Sequence, residues 1–92
     1  MNEDTKEILL ILQEEAIEVA KEVSKIMRFG PDQIAPGKEL TNMQRLQDEL
    51  GDLYAMVELL TKQKVGVSTN GISVAKKAKF QKLKQWSNLN IK

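Results

Sequence analysis

Residues 44–60 read QRLQDELGDLYAMVELL, and the ELGD at 49–52 decides what kind of molecule this is. Leu46, Leu50, Leu53, Val57 and Leu60 recur at three- and four-residue steps, the spacing of one helix face. Glu49 and Asp52 stand three residues apart inside that pattern. Residues 9–23, LLILQEEAIEVAKEV, repeat the design with Glu15 and Glu18. On an ideal helix each residue turns the chain by about 100°. With Glu15 at zero, Leu12, Ala16, Val19 and Val23 fall roughly 40–100° to one side and Glu18 about 60° to the other. With Glu49 at zero, Leu46, Leu50, Leu53 and Val57 fall on one side in the same way, and Asp52 lies about 60° to the other. Each helix thus carries an acid pair on the same rim of an apolar stripe.

Working outward, residues 5–28 read as one helix without Gly or Pro, its stripe formed by Ile8, Leu9, Leu12, Ala16, Val19, Val23, Ile26 and Met27. Ile11 and Ile17 lie off that stripe and point to a second buried contact, as in a bundle or an oligomer. Residues 29–41 hold both prolines and form a loop. Thr41 and Gln44 have the spacing of a capping box and open a helix over about 42–64. Residues 65–71, VGVSTNG, read as a turn ending in Asn-Gly. A lysine-rich helix follows over about 72–88, with Ile72, Ala75, Phe80, Leu83 and Trp86 on its apolar side. The fold class is therefore all-α, a helical hairpin (core 5–64) plus a C-terminal helix in one domain spanning 1–92.

Composition narrows the chemistry. The chain has 92 residues, no Cys and no His. A disulfide framework, a thiolate zinc site and a histidine base are excluded. Any metal is held by oxygen, which favours Mg²⁺, Mn²⁺ or Ca²⁺. The opening MNEDTKE is acidic and polar, unlike a secretory signal, and no apolar run approaches a membrane span. A cytoplasmic protein with no membrane partner is the expectation. A core of this size is marginal alone, so a homo-oligomer, dimer or tetramer, is expected.

The charges are segregated. Residues 1–60 carry all thirteen acids and six bases, a net of −7, while residues 61–92 carry eight lysines and no acid. If the two stripes pack antiparallel, the rims meet and four carboxylates converge. Such a cluster persists only if a cation neutralises it or some of the acids stay protonated. Hard divalent cations are the standard solution. The plainer reading pairs the acids along the surface, Glu18 with Lys21 or Lys25, Glu22 with Lys25, Glu49 with Arg45. Gly51 costs about 1 kcal/mol in mid-helix and implies close approach of another helix or a ligand.

EEAIEVAKE at 14–22, RFG at 28–30 before a Pro-containing loop, and LQDELGDLYAMVELL at 46–60 together resemble the MazG-like all-α nucleoside triphosphate pyrophosphohydrolases. The resemblance covers about residues 8–62. It implies a four-helix bundle assembled from two or more subunits, with Mg²⁺ (or Mn²⁺) on the acid pairs. It also implies cleavage of a nucleotide substrate to the monophosphate and pyrophosphate, a housecleaning of nucleotide pools. The implied metal ligands are Glu15, Glu18, Glu49 and Asp52, with Glu15 or Glu18 as the base. Lys21, Lys25, Arg28, Lys76, Lys79 and Lys82 are candidates for substrate phosphate. Phosphoryl transfer is mainly positioning and charge neutralisation, so no histidine is required.

The alternative is a non-catalytic helical module that meets a protein or a nucleic acid through its basic C-terminal helix. Only Phe80 and Trp86 are aromatic there, thin support for stacking on bases, so no obligatory nucleic acid is expected. Phe29 and Tyr54 read as packing residues too, Asn42 as a helix-start residue, and Lys62, Lys64 and Lys92 as solvated.

Overall fold

The computed structural model describes residues 1–91, so Lys92 lies outside the described residues. Three helices follow in order, α1 (Glu3–Phe29), α2 (Asn42–Lys62) and α3 (Thr69–Trp86), with no strand among the described residues. Local chemistry sets their ends. Asn2 Oδ1 accepts from Thr5 N–H at 2.7 Å and caps α1. Gly30, at φ 93°, closes it, its N–H donating to Ile26 O. The Thr41–Gln44 capping box is formed in both directions, at 3.1 and 2.9 Å. The loop holds the start of α2 from the other side, since Asn42 N–H donates to Gln33 O and Met43 N–H to Pro31 O.

One sequence expectation is corrected at the next junction. Asn70 and Gly71 do not form a turn; they lie in the first turn of α3, which begins at Thr69. Ser68 Oγ accepts from Gly71 N–H at 2.9 Å and starts the helix three residues early. A side chain at Gly71 would crowd that cap, because its Cβ would stand 3.0 Å from Ser68 Oγ. The reversal is made instead by Lys64 and Gly66, both at positive φ.

α1 and α2 pack antiparallel. Thr5 Oγ1 donates to Gln63 Oε1 at 2.8 Å near one end, and Arg45 reaches Glu22 near the other. The covered line of α1 runs through Thr5, Ile8, Leu12, Glu15, Val19, Glu22 and Ile26. That of α2 runs through Asn42, Leu46, Glu49, Leu53, Met56, Leu60 and Gln63. Both lines step by three and four, the seam of a two-helix contact. The acids Glu15, Glu22 and Glu49 therefore sit in the seam itself, not on the rim of a buried stripe. Leu9, Ala16, Val23 and Met27, placed by sequence on the apolar face of α1, are exposed. Ile17, read as a second buried contact, is exposed as well. Among the described residues Ile8 and Leu60 are the only buried hydrophobic residues, while the fully buried side chains, Thr5, Glu22 and Asn42, are polar.

α3 packs little on the hairpin. The chain measures 41 × 37 × 15 Å with a radius of gyration of 16.0 Å. A compact domain of this length has a radius near 12 Å. The molecule is a thin slab, one helix deep.

Candidate metal centre

The antiparallel register brings the middle of α1 against the middle of α2. One carboxylate oxygen each from Glu15, Glu49 and Asp52 lies within 4.8 Å of the others. Glu15 and Glu49 are half-buried and Asp52 is exposed, so the group opens to solvent on one side. Partial burial pushes the Glu49 carboxyl above its ordinary value, and the hydrogen-bonded Glu15 adds to this. The charges of Glu15, Asp52 and Glu18 push in the same direction. The charge effects of Glu15, Asp52 and Glu18 reflect negative charge held without a counter-charge, and a cation at the same place would oppose them.

Glu18 stands outside the group of three. Its Oε1 accepts from Lys21 Nζ at 3.2 Å. Its charge still acts on Glu49. The structure thus brings three of the four expected ligands together and sets the fourth beside them.

The expected phosphate contacts divide. Lys21 pairs with Glu18 and Lys25 with Glu22, so both lie along the α1 face that carries the acids. Arg28 lies over the Phe29 ring at 5.0 Å, at the end of α1. Lys76, Lys79 and Lys82 are on α3, which does not fold back onto the acids. Lys76 instead lines a groove with Tyr54, Val57, Glu58 and Ile72.

Arg45 is the residue the sequence reading misplaced. It does not pair with Glu49 one turn away. Its Nη2 donates across the hairpin to Glu22 Oε1 at 3.3 Å, while Lys25 Nζ donates to the same oxygen at 3.1 Å. The Glu22 side chain is 1% exposed, and its Oε2 has no partner among the described residues. Burial alone would raise this carboxyl, but the bonds and charges of Lys25 and Arg45 outweigh it and hold it below its ordinary value. A buried carboxylate was legible only through the register, which the sequence does not print. Asn42 was read as a helix-start residue, and it is that; its Nδ2 also donates to Gly30 O and Gln33 Oε1, and the side chain is fully buried. Apart from its chain neighbours and its own helix backbone, no described residue comes within 4 Å of where a Gly51 Cβ would stand, so its place is not explained by close approach of another helix of the chain.

A hard divalent ion with oxygens at about 2.0–2.5 Å needs its ligands within about 4–5 Å of one another. Glu15, Glu49 and Asp52 meet that requirement, and with no His or Cys in the chain the donor set is all oxygen. What the fold and the cluster define is an all-α protein with three converging carboxylates, able to hold a cation, between two antiparallel helices. Residues 3–85 match the family model of the MazG nucleotide pyrophosphohydrolase domain, and the chain belongs to that family. The match reaches beyond the 8–62 resemblance, through almost all of α3. Members of the family generally depend on a divalent metal. No curated protein and no solved structure gives a match. Among the described residues no helix is long and apolar enough to cross a membrane.

Proposed function

We propose that the protein is a Mg²⁺-dependent nucleoside triphosphate pyrophosphohydrolase. The observation that carries this is the meeting of Glu15 from α1 with Glu49 and Asp52 from α2, in a chain of the MazG family. Water attacks the α-phosphorus, the α–β anhydride bond breaks, and the products are the nucleoside monophosphate and pyrophosphate. Glu15, Glu49 and Asp52 would hold the metal, with Glu18 completing the set. Bound there, Mg²⁺ or Mn²⁺ supplies charge neutralisation for the phosphates and lowers the pKa of water. Glu15 or Glu18 would accept the proton of the attacking water. Lys21 and Lys25 lie on the same helix face and can meet phosphate oxygens; Lys76, Lys79 and Lys82 can do so only from another copy or after α3 moves.

The working unit we propose is a homo-oligomer, with hairpins of two or more copies closing a four-helix bundle. The exposed line Leu9, Ala16, Val23 and Met27, and the slab only 15 Å thick, support it. The open space beside Gly51 supports it as well, since a second layer could approach there. Sedimentation of a compact monomer at micromolar concentration would end this reading.

The activity test is pyrophosphate release from a panel of nucleoside triphosphates with Mg²⁺, Mn²⁺ or EDTA, for the natural chain and Glu49→Gln. Metal-dependent release lost in the folded variant establishes the reaction class. The second reading, a binding module acting through α3, is favoured by the exposure of that helix and of Trp86, 79% accessible. It gains if folded, Mg²⁺-loaded protein releases no pyrophosphate from any nucleotide. A cytoplasmic location fits either reading.

A further inference from the structure

The two ends of the hairpin are secured by different means, and the acid cluster lies between them. At the open end Ile8 and Leu60 are buried beside the Thr5–Gln63 hydrogen bond. At the loop end the fully buried side chains are polar, Glu22 and Asn42. Glu22 is four residues from Glu18, and Arg45 is four residues from Glu49, about 6 Å along each helix axis. The three converging carboxylates repel one another, which pushes α1 and α2 apart at mid-length. Few buried apolar side chains oppose that force. The nearest buried link across the seam is Arg45 to Glu22, 25% and 1% exposed, with Lys25 on the same carboxylate oxygen.

We propose that the Glu22–Arg45 pair is the positioning element of the acid cluster: it fixes the register of α2 on α1 so that Glu49 meets Glu15. Arg45 and Glu22 touch neither metal nor nucleotide in this role. They act through Glu49 and Glu18, one turn away on the same helices. The inference rests on the cation-site reading of the cluster.

The role makes a prediction of opposite sign to simple charge effects. Arg45 is a cation near carboxylates, so its removal should tighten divalent-ion binding if it acts only through its field. If it positions the ligands, its removal weakens binding, by about 10–100-fold for a supporting partner of this kind. The experiment is Mn²⁺ binding without nucleotide, by calorimetry and electron paramagnetic resonance. The proteins are the natural chain, Arg45→Met, Arg45→Lys, Glu22→Gln and Thr5→Val, each first shown to be folded by circular dichroism. The expected result is a loss of at least about tenfold in Arg45→Met and Glu22→Gln. Arg45→Lys should recover most of it, and Thr5→Val, which removes the far link, should bind Mn²⁺ as the natural chain does. Folded Arg45→Met with unchanged or tighter Mn²⁺ binding overturns the proposal. So does an equal loss in Thr5→Val, which would mark general loosening. If Arg45→Met does not fold, Arg45→Lys and Glu22→Gln decide by the same criterion. If the natural chain binds no Mn²⁺, the cation-site reading fails separately. The clamp is then judged by amide exchange in 46–53, which must speed up in the Arg45 and Glu22 variants and not in Thr5→Val.

Discussion

The α1–α2 hairpin and α3 are both amphipathic, yet they do opposite things with charge. The hairpin brings like charges together inside its contact line and holds them there with cross-helix links. α3 spreads its lysines over a helix that covers almost none of its own surface. Like charges gathered in a half-buried place need a counter-ion; like charges spread in water need none. The difference makes the hairpin the candidate place for chemistry and leaves α3 as an exposed basic surface.

The largest effect expected from breaking this contrast is at Glu49. Glu49→Gln should lower metal-dependent pyrophosphate release by at least about 100-fold, because it removes charge where the reacting phosphate is neutralised. Lys79→Ala or Lys82→Ala, measured alongside, should change the rate by no more than a few fold unless α3 reaches the site of another copy. Next is metal linkage. Mg²⁺ at about 100 times its Kd should stabilise the protein by about 2.7 kcal/mol. A thermal melt with and without Mg²⁺ reads this as a higher Tm that Glu49→Gln reduces and the α3 lysine variants leave alone.

The pH dependence sharpens the comparison further, because two acids of the seam, half-buried Glu49 and buried Glu22, shift in opposite directions. The folded-state value of Glu49 is raised, so between the ordinary carboxylate value and that raised value the native state holds more protons than the unfolded one. The metal-free protein should therefore lose stability as pH rises through that window, and saturating Mg²⁺ should abolish the loss. Glu22 is lowered, so its contribution is present above the ordinary carboxylate value and is lost as pH falls through its folded value. Urea midpoints between pH 3 and 7, with Glu49→Gln and Glu22→Gln in parallel, separate the two. The smallest effect distinguishes the helix starts. Thr41→Ala breaks a capping box that begins the packed helix and should cost about 1 kcal/mol in a denaturant titration. Ser68→Ala loosens a cap on an unpacked helix and should leave the hairpin's unfolding midpoint almost unchanged.

Much of the candidate site was legible before any coordinates. Glu15, Glu49 and Asp52 follow from two acid pairs at equal spacing, because helix periodicity is a property of the backbone and carries over into the fold. Glu18 was legible as an acid of the same helix, but its turn towards Lys21 is a choice between neighbours one turn away. Arg45 could not be placed, since Glu49 and Glu22 were both within its reach and only the interhelix register prefers Glu22. The start of α3 was misread because Asn-Gly is a turn signal only when no cap competes, and Ser68 supplies one.

The sequence by itself determined the all-α class, the hairpin and its capping box, the absence of histidine and cysteine, and the segregation of charge. These depend on residue type and on separations of three or four along the chain. Only the tertiary structure decided which line of each helix became the seam. The apolar stripe was the obvious choice, but the antiparallel pair covers Thr5, Glu15 and Glu22 together with Ile8, and leaves Leu9, Val23 and Met27 exposed. Periodicity fixes which residues share a face. Which face is covered depends on the angle and offset between two helices, and those are set by loop hydrogen bonds, cross-helix polar links and whatever packs on the far side.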